Sequence, residues 1–261
     1  MMKWVAVLNK LPYLGLAFAL LSVPAHAGIV YATGFESSDG YTLGPLAGQN
    51  GWLEFNSALS SVENFFVESG SQAVFVNGNT SNLQAGPYHV DAPTGPMIDL
   101  QADLYIASGV ENTWQFAATG PGLSQFLGGF NLIPENPVAG TVDDVQLISG
   151  ALPTVGTFDL NTWNHVDVLF DMTSQTFWLT LNGNLLANDV AFCGSNSGCN
   201  GAFVANYADS FFDVFGNLNS TDSATMDNFS LSQFVAAPEP GSLLLIGTGL
   251  IFLARRKSAR K

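Results

Sequence analysis

Trp163-Asn-His-Val-Asp-Val-Leu-Phe-Asp-Met-Thr-Ser-Gln-Thr-Phe-Trp-Leu-Thr-Leu-Asn182-Gly183-Asn-Leu185 decides the fold. Its two β-type runs, Trp163 to Asp171 and Gln175 to Leu181, are separated by a polar break. In the second run the two-residue period of a strand puts Phe177, Leu179 and Leu181 on one face, with Trp178 and Thr180 on the other. Asn182-Gly183 then supplies two residues that tolerate positive φ, as a type I′ turn requires, and reverses the chain into Leu185-Leu186. The stretch predicts a β-hairpin.

Working outward, the interior repeats this grammar of short β-type runs between turn residues and has no long segment with a helical period. Strand candidates are Val62 to Val67, Ser71 to Val76, Ile98 to Ala107, Thr113 to Ala118 and Ala224 to Phe234, besides the two already quoted. Phe, Val, Thr and Trp enrich them, as a half-buried pleated surface prefers. With 27 Gly and 12 Pro punctuating the chain, the expected class is all-β, an antiparallel β-sandwich.

Hydrophobic residues make up 47% of the 261 and charged ones 11%, so the chain can bury a core. The seven basic residues are Lys3, Lys10, Arg255, Arg256, Lys257, Arg260 and Lys261, all terminal, whereas the 21 acidic residues lie between Gly28 and Pro240. A body without Lys or Arg repels phosphate backbones, which argues against a nucleic-acid partner. Its carboxylates must be solvated, hydrogen-bonded or bound to cations, and Ca²⁺ is the natural divalent counterion.

Both ends look like targeting segments. Residues 1–27 combine basic Lys3 and Lys10, an apolar run from Leu11 to Leu21, Pro24 and the small-residue triplet Ala25-His26-Ala27, which is the anatomy of a signal peptide cleaved before Gly28. The other end reads Pro238-Glu239-Pro240, then an apolar run from Gly241 to Ala254, then the basic cluster. As a helix that run is short for a bilayer, and the basic cluster after it would hold the C-terminus in the cytoplasm. The expected domains are a signal peptide at 1–27, a β-sandwich at 28–235 and a tail at 236–261.

Pro-Glu-Pro, a short apolar helix and a terminal basic patch, in that order, resemble the PEP-CTERM sorting signal. That resemblance implies an exosortase-type enzyme that recognises Pro238, Glu239 and Pro240, removes a transiently membrane-anchored transmembrane helix, and leaves the protein on the cell surface or in the extracellular matrix. Signal peptidase would act at the other end, and family members are typical of Gram-negative bacteria that make exopolysaccharide, which gives biofilm as a setting. The same tail occurs on some ice-binding proteins, but the Thr-x-Thr array suited to ice is missing from this sequence.

The quoted hairpin, and more weakly Gly34-Phe35-Glu36 to Gly51-Trp52 and Met226-Asp227-Asn228-Phe229, resemble the concanavalin A-like or laminin G-like sandwich, a jelly-roll type. In that fold the first and last strands lie together and often hold calcium where they meet, which makes Glu36 and Asp227 candidate Ca²⁺ ligands; the alternative is that each caps a strand or faces water. Cys193 and Cys199 enclose five small, flexible residues, and an oxidising compartment permits a disulfide between them that would pin a loop. A two-Cys metal site lacks the further ligands zinc usually needs.

No catalytic residue is named. Sandwich glycosidases of the laminarinase type carry Glu-x-Asp-x-x-Glu on one strand, and the glutamates here, Glu36, Glu54, Glu63, Glu68, Glu111, Glu135 and Glu239, do not repeat it. Asp143 and Asp144 are adjacent and would point to opposite faces of a strand. His165 reads as a structural histidine in a strand, His89 falls in an expected loop, and no Gly-x-Ser-x-Gly elbow occurs. Without cations to clamp phosphate or carboxylate, the ligand still allowed is neutral sugar, stacked on Trp52, Trp114, Trp163 or Trp178 unless these fill the core. The expectation is a non-enzymatic, glycan- or protein-binding envelope or matrix protein, with extracellular polysaccharide as a partner. The alternatives are a divergent glycoside hydrolase and a purely structural matrix or ice-binding-type protein.

Overall fold

The computed structural model describes residues 27–56, 59–78, 85–107, 112–119, 126–134, 143–148, 153–192, 208–215 and 222–234. The expected signal peptide up to residue 26, the pair Cys193 and Cys199, the Pro238-Glu239-Pro240 motif and the apolar tail lie outside the described residues. Among the described residues no helix is long and apolar enough to cross a membrane.

Gly28–Phe234 forms one compact unit of two stacked sheets. The larger contains β1 (Ala27–Thr33), β2 (Gly44–Pro45), β4 (Ser60–Glu63), β5 (Ala73–Asn77), β7 (Met97–Ile106), β12 (Trp163–Asp171), β13 (Thr176–Leu181), β14 (Asn184–Ala191) and β16 (Ser223–Phe234). Its order is β14-β13-β12-β7-β16-β5-β4-β2, with β1 also paired to β16. The smaller runs β11 (Thr154–Thr157), β10 (Asp144–Leu147), β9 (Phe126–Ile133), β8 (Thr113–Thr119), β15 (Ala208–Phe215), β6 (Gly86–Asp91), β3 (Trp52–Phe55). Every ladder among β2 to β16 is antiparallel, so the all-β antiparallel sandwich expected from the sequence is the fold that forms. A single 3-10 turn, Ser37–Asp39, interrupts the strands among the described residues.

Alternation sets the layers. On β7 the even residues Ile98, Leu100, Ala102, Leu104 and Ile106 are buried, and the odd residues face outward. β12 and β13 follow suit, burying Val166, Val168 and Phe170, then Phe177, Leu179 and Leu181, against Trp114, Phe116, Phe130 and Leu132 of the smaller sheet. The sheets approach closely at Gly128, where a Cβ would stand 2.7 Å from the Phe177 ring. The hairpin forms as read, with Leu181 opposite Asn184 and positive φ at both Asn182 (50°) and Gly183 (76°). The Asn182 side chain also fastens the start of β12, its Oδ1 accepting the His165 N–H at 2.8 Å.

Two local readings need correction. The run Val62 to Val67 is not one strand: β4 ends at Glu63, and Phe65 and Phe66 lie in a bend, Phe66 at φ 50°. The loop that follows them is held from β16, Asp227 accepting the N–H groups of Glu68 and Ser69. His89 sits in β6 and not in a loop, because Pro87 lies near the strand's start and the chain then pairs with both β3 and β15.

Candidate functional site

Strand register brings two aspartates together on the outer face of the larger sheet. Leu169 of β12 stands opposite both Asp99 of β7 and Trp178 of β13, while Asp167 stands opposite Gln101 and Thr180. Asp99 and Asp167 are therefore diagonal neighbours on adjacent strands. With Leu169, Trp178, Thr180, Leu185 and Phe234 they line a groove of about 360 Å³.

Burial, then the hydrogen bond to Asp167 and its negative charge, push the Asp99 carboxyl up to about 7, while the amide of Gln101, donating to Asp99 Oδ2 at 2.8 Å, opposes the shift. Asp99 Oδ1 is buried and receives no hydrogen bond from any donor group. The body contains no Lys or Arg to neutralise two adjacent carboxylates, so burial and the Asp167 charge favour the protonated form of Asp99. A protonated Asp99 carboxyl both donates and accepts hydrogen bonds, beside the half-buried indole of Trp178. A pyranose ring asks for that combination, with an apolar face to stack and hydroxyls to bond.

The candidate calcium ligands meet one loop, residues 64–72, and grip its backbone. Asp227 is wholly buried; its Oδ2 accepts the N–H groups of Glu68 and Ser69 at 3.1 Å each, and its Oδ1 accepts that of Asn228 at 2.7 Å. Burial raises its carboxyl to about 6 against the pull of those N–H groups. Glu36 Oε1 accepts the N–H groups of Ser71 (2.6 Å) and Gln72 (3.0 Å), and Oε2 accepts the Ser71 hydroxyl (2.6 Å). These bonds, those of Ser71 foremost, lower the Glu36 carboxyl below the usual glutamate range. Near where β1 meets β16 a second groove is lined by Ala32, Thr33, Gly34, Asp39, Asn228, Phe229 and Ser230, of which Asp39 alone is charged. Among the described residues no group of three or more His, Cys, Asp or Glu side chains is placed to hold a metal ion.

Asn228, left-handed at φ 49° within a bulge of β16, links this loop to the sheet face. Its amide donates to Glu68 Oε2 (2.9 Å) and Asp103 Oδ2 (2.8 Å), and Asp103 Oδ1 lies 2.8 Å from His165 Nδ1.

Of the tryptophans, Trp52 and Trp114 are core residues, a correction to their expected place in a stacking platform, because a buried indole offers no face to a sugar. Trp52 fills the space between the sheets beside Phe35 and Phe229, its Nε1 donating to Tyr41 Oη (2.9 Å) and Tyr31 Oη (3.0 Å). Trp163 is half-buried against Tyr105, and Trp178 lines the groove. His89 is buried, stacked on Tyr31 with ring centroids 3.8 Å apart, its Nδ1 3.0 Å from Asp91 Oδ1 and its Nε2 3.1 Å from the Asn50 carbonyl.

Sequence reasoning missed Asp99 and Asp167. Both strands were readable, and the outward phase of each aspartate follows from alternation, but their proximity depends on a register that neither strand encodes alone.

Residues 236–261 match the PEP-CTERM protein-sorting motif, which implies exosortase processing, export and a cell-surface or extracellular fate. No curated protein matches the chain by sequence. Among solved structures the chain is similar to a sialidase (TM-score 0.51, 10% identity, 70% of this chain covered and 17% of the sialidase). It is also similar to "Cellulose induced protein, Cip1" (TM-score 0.50, 14% identity, 80% and 99% covered). A third is a protein of unknown function with a galectin-like fold from Bacillus subtilis (TM-score 0.50, 12% identity, 81% and 99% covered). The chain thus spans about a sixth of the sialidase, and at these identities the likeness is one of fold.

Proposed function

We propose that this exported, PEP-CTERM-tagged chain is a non-catalytic glycan-binding protein of the cell envelope or extracellular matrix, and that neutral sugar is held in the Trp178 groove. The observation that carries the reading is the half-buried indole of Trp178 beside the neighbouring Asp99 and Asp167 side chains, on the outer face of a sheet whose body has no Lys or Arg. Anionic polysaccharide would meet only negative charge there, so the ligand is neutral.

The test is calorimetric titration of the exported domain, wild type and Trp178→Ala, with neutral plant and bacterial polysaccharides, with and without a chelator. Saturable binding that weakens tenfold or more in the variant is expected, a loss of at least about 1.4 kcal/mol. The chelator should leave it unchanged, since only two carboxylates line the groove. Equal binding by Trp178→Ala would overturn the reading.

The raised carboxyl of Asp99 favours one second reading, a divergent glycoside hydrolase, because a proton held near neutral pH suits a general acid. Reducing-sugar release that Asp99→Asn abolishes would establish it.

A further inference from the structure

We propose that the ligand is not a short or terminal sugar but a linear neutral polysaccharide lying along β7 and β12, held by the Trp178 groove at one end and an aromatic ledge of Phe66, Tyr105 and Trp163 at the other. The inference rests on the glycan reading of the Trp178 groove and extends it to a second contact and a minimum ligand length.

The ledge shares a face with the groove. Tyr105 is opposite Trp163 as Asp99 is opposite Leu169, and both pairs point outward. Tyr105 lies six positions from Asp99 on β7, and Trp163 six from Leu169 on β12. At about 3.3–3.4 Å per residue the two sites are therefore about 20 Å apart along the strands. The ground between them is polar: Gln101, Asp103, His165 and Asp167 occupy the outward positions, and the His165 side chain is 53% exposed. Aromatic faces at two ends with hydrogen-bonding groups between suit a chain of several rings.

Phe66 shows that the ledge is built and not incidental. Its ring stacks on Tyr105 at 5.2 Å and 25°, yet it remains 54% exposed, and its neighbour Phe65, edge-on to both Phe66 and Phe75, is 44% exposed. Phe66 adopts φ 50°, a left-handed conformation that bulky side chains avoid and that persists where surrounding contacts enforce it. The loop just beyond it is anchored by Asp227, which accepts from Glu68 and Ser69, and by Glu36, which accepts from Ser71 and Gln72. A left-handed backbone and an anchored loop thus accompany an exposed phenylalanine at one place on the sheet. The absence of Lys and Arg from the whole body selects an uncharged chain as its occupant.

The experiment is calorimetric titration with cello-, xylo- and manno-oligosaccharide ladders of about two to about six rings, the longest of which reach across about 20 Å. Wild type should bind the longest members at least tenfold more tightly than the shortest. Phe66→Gly, which removes the ring and relieves the positive φ, and Tyr105→Ala should each abolish that gain and leave the short-chain affinity intact; Trp178→Ala should weaken all lengths. If affinity is flat with length, or if Phe66→Gly and Tyr105→Ala bind the long chains like wild type, the two-ended site is wrong while the Trp178 groove stands. Absence of Trp178-dependent binding to any ladder defeats both.

Discussion

Asp227 and Ser69, 158 positions apart in the chain, are joined by a hydrogen bond of 3.1 Å from the Ser69 N–H to the carboxylate of Asp227, which is wholly buried on β16. The same oxygen accepts the Glu68 N–H, so one side chain from the last strand fixes the loop after β4. Asp227→Asn cannot reproduce this, since an amide that offers its oxygen to the loop turns its NH₂ towards the Asn228 N–H. A loss of about 1–3 kcal/mol is expected in denaturant unfolding, the range for a buried group left unsatisfied. Unchanged stability would show the loop to be held by other contacts.

The acid pair sets a pH dependence with a definite sign. Burial raises Asp99 to about 7 and Asp227 to about 6, so between the ordinary aspartate value and those figures the folded protein keeps protons that the unfolded chain has released. Stability therefore falls as pH rises from about 4 to about 7 and is flat above. Glu36 acts oppositely and only in acid, its stabilisation being lost as pH drops through its lowered value. Thermal melts should show a higher Tm at pH 5 than at pH 8, by several degrees. Asp99→Asn should remove most of that slope, because an amide donates to Asp167 without a titrating proton. A Tm that climbs with pH over this range would contradict the raised carboxyls of Asp99 and Asp227.

Gly128→Ala tests the sheet-to-sheet contact. The new Cβ would lie 2.7 Å from the Phe177 ring, closer than real contacts allow, so the ring or the strand must shift. Overpacking of this kind costs about 1–3 kcal/mol. Gly183→Ala gives a comparison where nothing lies within 4 Å of the Cβ and only the φ of 76° resists. A larger loss at Gly183 than at Gly128 would show that turn strain outweighs packing here.

Much of the fold was readable because alternation is local. Trp163 to Asp171 was read to the residue, and the adjoining strand and its Asn182-Gly183 reversal needed only the two-residue period and the φ tolerance of Asn and Gly. β6 hid because it opens on the turn residues Gly86-Pro87, and β4 was overextended because Phe65 and Phe66 have strand propensity although they lie in a bend. The outward phase of Trp178 is legible from its alternation with Phe177 and Leu179, whereas the burial of Trp52 is not, since no strand is read around it.

The sequence by itself determined the class of fold, the charge separation between ends and body, and the sorting tail at 236–261. These depend on residue type and short-range order, which any stretch of chain carries with it. Tertiary structure alone decided that Asp99 meets Asp167, that Asp227 holds backbone, and that Tyr105, Trp163 and Phe66 gather on one face. Each of those contacts follows from strand register and loop closure, which the whole set of pairings fixes together and no single strand contains.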